Sequence, residues 1–200
     1  MVAWRRSVLW QQFWADQGLS ASEVAYRRSL GDGSLQEIED AIAHPRVRVV
    51  GLVVEKVDRV MHGMELGAAG MYNQVRQWAE QGFMAALLGL LFDRSFRVFL
   101  TSDHGNIEAE GCGRPSEGSI AEQRGERVRV YRDQLLRAQV GEAFPDSVEW
   151  PPLGLPDDFL PLLAPGRAAF VPAGDKVVAH GGASLEELLV PVVTIERRAR

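Results

Sequence analysis

Two hundred residues, 46% hydrophobic and 24% charged, describe an ordinary folding chain of about one domain rather than a disordered one. A net charge of −5 argues against broad nucleic-acid electrostatics, and the single cysteine, Cys112, excludes an internal disulfide framework and a cysteine-rich zinc site. No apolar run approaches the roughly 20 residues of a membrane span, and Met1-Val2-Ala3-Trp4-Arg5-Arg6 opens no signal peptide, so the expected address is the cytoplasm, with no membrane partner.

The first elements are helical by pattern. Trp4, Leu9, Trp10, Phe13, Trp14 and Leu19 recur at three- and four-residue steps. Ser20 or Ser22 is placed to cap a second helix from about Glu23, so residues 1–46 read as a helical N-terminal segment. Gly31-Asp32-Gly33 reads as a turn, and Ser34-Leu35-Gln36-Glu37 as a capping box on a helix ending near Pro45. Val47 to Val54 is β-branched and nearly continuous, which predicts a buried strand of a largely parallel sheet. Residues 66–93 carry one long helical pattern, with Gly82 as an interruption, and 96–101 form the next strand. Strand, helix, strand is a βαβ unit, whose strands end on the same sheet edge.

The second half is less regular. Residues 105–125 read as a long surface loop and Glu126 to Tyr131 as a short strand. A helix follows from Asp133 to about Val140, then a proline-rich stretch, 145–166, with the look of a cap or lid. Ala168–Val171, Lys176–Ala179 and Val190–Glu196 read as strands, with a capping box at Ser184-Leu185-Glu186-Glu187 between the last two.

Three places carry chemistry. Asp58 and His62, four residues apart, share one face of a helical turn, so one ion can touch both. Asp103-His104-Gly105-Asn106 follows the strand at 96–101, at the edge where open α/β folds build their sites. His180 stands directly before Gly181-Gly182, where the backbone can bend tightly around a ligand. Each feature alone is compatible with a helix-surface pair, a turn or a core histidine. Together, three of the four histidines lie beside glycine, two of them with an acidic partner, and this points to a divalent metal. His44, before Pro45, reads as a helix-end residue, and Cys112 as a bystander in the glycine loop. Arg124, Arg127 and Arg129 are candidate phosphate contacts, with solubility of an edge strand as the competing reading. Asn106 is a candidate to orient a ligand or substrate oxygen.

Asp58/His62, Thr101 to Asn106 and His180-Gly181-Gly182, in this order and spacing, resemble the alkaline phosphatase superfamily, which includes cofactor-independent phosphoglycerate mutases. With Asp58 to Gly63, Arg124 to Tyr131 and His180 to Pro191 added, the chain resembles more closely the PglZ domain of BREX-type phage defence, over roughly residues 47–200. The resemblance implies a three-layer αβα sandwich with a largely parallel sheet, of which 47–200 is the C-terminal part. It implies two divalent ions, zinc or manganese, one held by Asp58, His62 and His180 and the other by Asp103 and His104. It implies a metal-dependent phosphatase or phosphodiesterase acting on a phosphoester or nucleic acid, with other defence-system proteins as partners.

The sequence departs from that pattern at its start. The superfamily takes a second Asp and a hydroxyl nucleophile from an early strand, and no apolar strand ending in Asp-Gly is evident before residue 47. Asp32-Gly33-Ser34 has the letters without the strand, so the catalytic nucleophile is expected to be absent and the chain to be a fragment. The alternatives are a non-catalytic metal-binding or partner-docking module, using Trp4, Trp10 and Trp14, and a phosphomutase, for which 145–166 is a short cap.

Overall fold

The helical periodicity at the N-terminus is realised as α1 (Ala3–Asp16), but the chain then turns into a strand, β1 (Val24–Leu30). α2 (Gln36–Ile42), β2 (Val49–Val54), α3 (Lys56–His62), α4 (Gly67–Glu80), α5 (Phe83–Asp93) and β3 (Val98–Thr101) follow. The remainder runs β4 (Ile107–Gly111), β5 (Gln123–Arg124), β6 (Val128–Tyr131), α6 (Gln134–Ala143), β7 (Val148–Glu149), β8 (Leu160–Leu163), β9 (Ala168–Ala169), β10 (Lys176–Ala179), α7 (Leu185–Leu188) and β11 (Val192–Ile195). These belong to a computed structural model that describes residues 3–32, 35–63, 67–116 and 123–198, apart from the side chains of 3–5, 123 and 124. Ser34 of the expected capping box therefore lies outside the described residues, as do the side chains of Trp4 and Arg124.

The architecture is mixed α/β, with small sheets. Among the described residues the strands form four: β1-β2, β10-β4-β9, β11-β3 and β5-β6-β8-β7. β1–β2 and β4–β9 are parallel, whereas β6 takes β5 and β8 antiparallel and β10 runs antiparallel to β4. The parallel partner of β2 is β1, and β3 takes β11, so one largely parallel sheet is not the arrangement these pairings make.

By packing, the chain divides into two units, Met1–Val60 with Val75–Val98 and Arg197–Arg200, and Met61–Gln74 with Phe99–Glu196. In the first, the core joins Leu30, Ile38, Ile42, Leu87 and Leu91. Burying each of these side chains contributes roughly 1.5–3 kcal/mol. The helix expected from Glu23 is the strand β1 because its ladder partner lies elsewhere in the sequence: Val24 pairs with Val49 and Arg27 with Leu52. Ser20 and Glu23 do form the local contact of a capping box, with the Ser20 N–H donating to the Glu23 carboxylate at 3.0 Å, but the turn they start is a single 3-10 turn, Ala21–Glu23. α1 lies over this pair, since a Cβ on Gly51 would sit 2.8 Å from the Trp10 ring and 2.9 Å from Tyr26. The long helical pattern of 66–93 is two helices, parted at Gly82, whose φ of +86° no L-residue adopts cheaply.

In the second unit, Tyr131, Val140, Leu162, Ala164 and Phe170 make the core. The helix α6 begins where Asp133 caps it, accepting hydrogen bonds from the Leu135 and Leu136 N–H groups at 2.8 and 3.0 Å. Two expectations change here. The proline-rich stretch supplies β8, buried between β6 and β7, rather than a lid. The glycine-rich loop contains β4, the central strand of its sheet. Glycine hides it: Gly111 is required there because a Cβ would meet the Pro172 carbonyl oxygen at 1.9 Å.

Candidate metal centre

β2 ends at Val54, and after Glu55 the chain enters α3, with Asp58 in its first turn and His62 at its end. The spacing stacks both side chains on one helix face. A carboxylate oxygen of Asp58 and a ring nitrogen of His62 lie within 4.8 Å of each other. β3 runs to Thr101 and delivers Asp103-His104 from the loop that follows. β10 ends at Ala179 and delivers His180.

Pairing of β10 with β4 brings the two loops together. Ala179 is opposite Ile107, so His180 emerges beside the turn that holds His104 and Asn106. The His104 and His180 rings stack, with centroids 3.8 Å apart and planes 13° apart. His62 meets His180 edge-on at 5.6 Å, with ring nitrogens of the two within 4.8 Å of one another. His180 thus contacts both other imidazoles.

The second pair is oriented by its own backbone. His104 Nδ1 lies 3.0 Å from the Gly105 carbonyl oxygen. A carbonyl only accepts, so Nδ1 is the donor and, in the neutral ring, Nε2 carries the lone pair. That Nε2 faces Asp103 Oδ1 at 3.7 Å. Two lone-pair donors facing each other at this separation fit a shared cation. Ligand atoms bound tetrahedrally at 2.0–2.1 Å stand roughly 3.4 Å apart. His104 is half-buried and Asp103 exposed, which keeps one side of the pair open to solvent.

The remaining candidates are placed differently. Asn106 is half-buried immediately before β4. Arg124 contributes its backbone to β5. Arg127 is 1% exposed, and all three of its guanidinium nitrogens are engaged. Nε and Nη2 donate to Glu187 at 3.1 and 3.0 Å, Nη2 also to the Gly166 carbonyl at 2.8 Å, and Nη1 to the Ala168 carbonyl. Arg129 donates to the Gly125 and Phe170 carbonyls at 2.7 and 3.1 Å and is likewise buried. Both arginines serve the interior of the fold. Cys112 donates its thiol to the Ala169 carbonyl at 3.2 Å, and desolvation raises its pKa.

Glu187 has a role that its sequence pattern alone does not reveal. Its place in Ser184-x-x-Glu187 marks it as a capping residue, and it does accept the Ser184 N–H at 3.2 Å. It is also buried, and accepts from Arg127 and from the Gly182 N–H at 2.7 Å. Burial alone would raise its pKa; the hydrogen bonds from Arg127, Ser184 and Gly182, with the arginine's charge, outweigh that and hold it at about 2.

The early strand also differs from expectation. β1 runs directly into Gly31-Asp32, so Asp32-Gly33-Ser34 does follow a strand. Asp32 is committed to two cations, Lys56 at 2.7 Å and Arg59 at 2.8 Å, which hold its carboxyl below the usual range. Gly33 and Ser34 lie outside the described residues.

Comparison with known families matches residues 4–195 to the BREX system PglZ alkaline phosphatase-like domain. The chain belongs to the PglZ family. The match begins at residue 4, so the likeness extends through β1 and β2 and is not confined to the C-terminal portion from residue 47. A search of curated proteins gave no match. The PglZ chain has no described helix long and apolar enough to cross a membrane.

Proposed function

We propose that this PglZ chain is a metal-dependent phosphatase- or phosphodiesterase-type domain of a phage-defence system, working with other proteins of that system in the cytoplasm. The observation that carries the reading is the contact of His180 with both His62 and His104, from separate elements. A structural histidine needs one hydrogen-bond partner; three imidazoles gathered beside the carboxylate of Asp103 suit an N/O-ligated divalent ion.

Asp58, His62 and His180 hold one ion in this proposal, and Asp103 with His104 the second. The mixed donor set accommodates zinc and manganese alike. Such ions, when bound, supply the positive charge that polarises a phosphoryl group. The chain's own residues prepare for this. The Nδ1–H contact to Gly105 holds His104 in the tautomer with Nε2 available. Asn106, next to that turn, would orient a substrate oxygen in this proposal, and Arg124 is the remaining candidate of the three arginines for a phosphate. The αβα layering is part of the same proposal, supported by the parallel β1–β2 pair and by the helix α3 that follows β2.

The docking-module alternative loses two of its tryptophans, Trp10 and Trp14. Trp10 donates its indole N–H to the Ala25 carbonyl at 3.1 Å and packs edge-on against Trp14 at 5.6 Å, so this cluster covers β1.

Metal content of the purified chain, beside His62→Ala and His104→Ala, tests the proposal, together with hydrolysis of p-nitrophenyl phosphate and its bis-ester. One to two zinc or manganese ions per chain, lost stepwise in the variants, are expected. A chain that takes up neither metal on incubation would overturn the reading.

A further inference from the structure

Glu187 reaches both histidine loops through two different groups. Its carboxylate accepts the N–H of Gly182, in the loop that begins at His180, at 2.7 Å. Its backbone carbonyl accepts the N–H of Gly105, next to His104, at 2.9 Å. Arg127 grips the same carboxylate with two parallel hydrogen bonds, and is in turn anchored on the Gly166 and Ala168 carbonyls.

Both loops are fitted to these contacts. A Cβ on Gly182 would lie 2.6 Å from Arg127 Nη2 and 2.7 Å from Glu187 Oε2. A Cβ on Gly105 would lie 1.9 Å from the Glu186 carbonyl oxygen. A buried ion pair is poor stabilisation compared with an apolar pair of the same volume, because both charges lose their water. An apolar pair, however, offers no acceptor to the Gly182 and Ser184 N–H groups. The arrangement is explained by what it holds in place rather than by the energy it adds.

We propose that Glu187, clamped by Arg127, is a positioning residue that fixes the His104 and His180 loops against each other so that the two imidazoles stack. Its purpose in metal binding rests on the metal-centre reading above, whereas the stacking itself does not.

The test uses the full chain without metal, as wild type, Glu187→Gln and Arg137→Met. The last breaks the Arg137–Glu149 ion pair (2.8 Å) in the same unit and touches neither loop. Stacked rings shift each other's proton resonances upfield, so histidine ring signals are read by NMR beside the amide spectrum. Loss of the upfield displacement of His104 and His180 in Glu187→Gln, with both retained in Arg137→Met, supports the proposal. Displacement that persists in folded Glu187→Gln overturns it, as does a wild type whose ring signals are not displaced. If Glu187→Gln does not fold, Glu187→Asp replaces it, keeping a charge for Arg127 but drawing the carboxylate back from Gly182. Zinc titrations run in parallel. Affinity about ten to one hundred times weaker in Glu187→Gln than in wild type is expected; a wild type that binds no zinc removes the metal reading and leaves the ring comparison to decide positioning.

Discussion

Ala179 stands opposite Ile107 in the ladder of β10 and β4, and this register delivers His180 to the loop of His104. Side chains alternate along a strand, so a slip of one residue would reverse every face. His180 contacts both other imidazoles, and its removal should therefore disturb both halves of the centre. His180→Ala is expected to weaken zinc and manganese binding by at least about tenfold, or roughly 1.4 kcal/mol. Titration calorimetry on both metals checks it; unchanged affinity would exclude His180 as a ligand.

Arg127 and Glu187 should be costly to separate and cheap to replace together. Arg127→Met strands a buried carboxylate and is expected to cost about 3–5 kcal/mol, whereas Arg127→Met with Glu187→Leu should cost far less. Urea unfolding of the two variants against wild type gives the comparison. With Glu187→Leu alone measured beside them, a double-variant loss equal to the sum of the two single losses would mean that the pair is not coupled.

The same pair sets an acid limb. Glu187 titrates at about 2 in the folded chain against an ordinary value of 4.5. A depressed carboxyl contributes its stability in full above the unfolded pKa and loses it as pH falls through the folded one. Wild type should lose stability between about pH 4.5 and 2, and its difference from the Arg127→Met/Glu187→Leu variant should change across that window. Unfolding free energies measured at half-unit pH steps would show a parallel pair of curves if this were wrong.

Two glycines should respond oppositely to alanine. At Gly105 the new Cβ would meet the Glu186 carbonyl oxygen at 1.9 Å, a backbone atom that cannot swing away. At Gly89, inside α5, it would meet nothing within 4 Å. Gly105→Ala is expected to destabilise by more than about 2 kcal/mol, and Gly89→Ala to stabilise by roughly 0.5–1 kcal/mol through helix propensity. Thermal unfolding of the two variants separates them.

Much of the site was legible because it is local. Asp58-x-x-x-His62 needs only helical spacing, and Asp103-His104 and His180 each follow a strand that shows in the β-branched pattern. β1 was not legible, because its ladder partner Val49 lies 25 residues away from Val24 and the local letters favour a helix cap. β4 was hidden by its glycine and two glutamates, which read as loop. Arg127 and Arg129 read as phosphate contacts because alternation along the chain does not say which side chains are buried, and the groups that receive them, Glu187 and the Gly166 and Phe170 carbonyls, lie 39 to 60 positions later.

The sequence by itself determined the candidate ligand types, their spacing within each segment and the family likeness they carry, since these depend on residues a few positions apart. The tertiary structure alone decided which segments meet. His104 and His180 lie 76 positions apart and stack only because β10 pairs with β4. Glu187 becomes more than a helix cap only because Arg127, 60 positions earlier, is buried against it. Long-range pairing selects among many locally equivalent arrangements, and only the folded chain carries that choice.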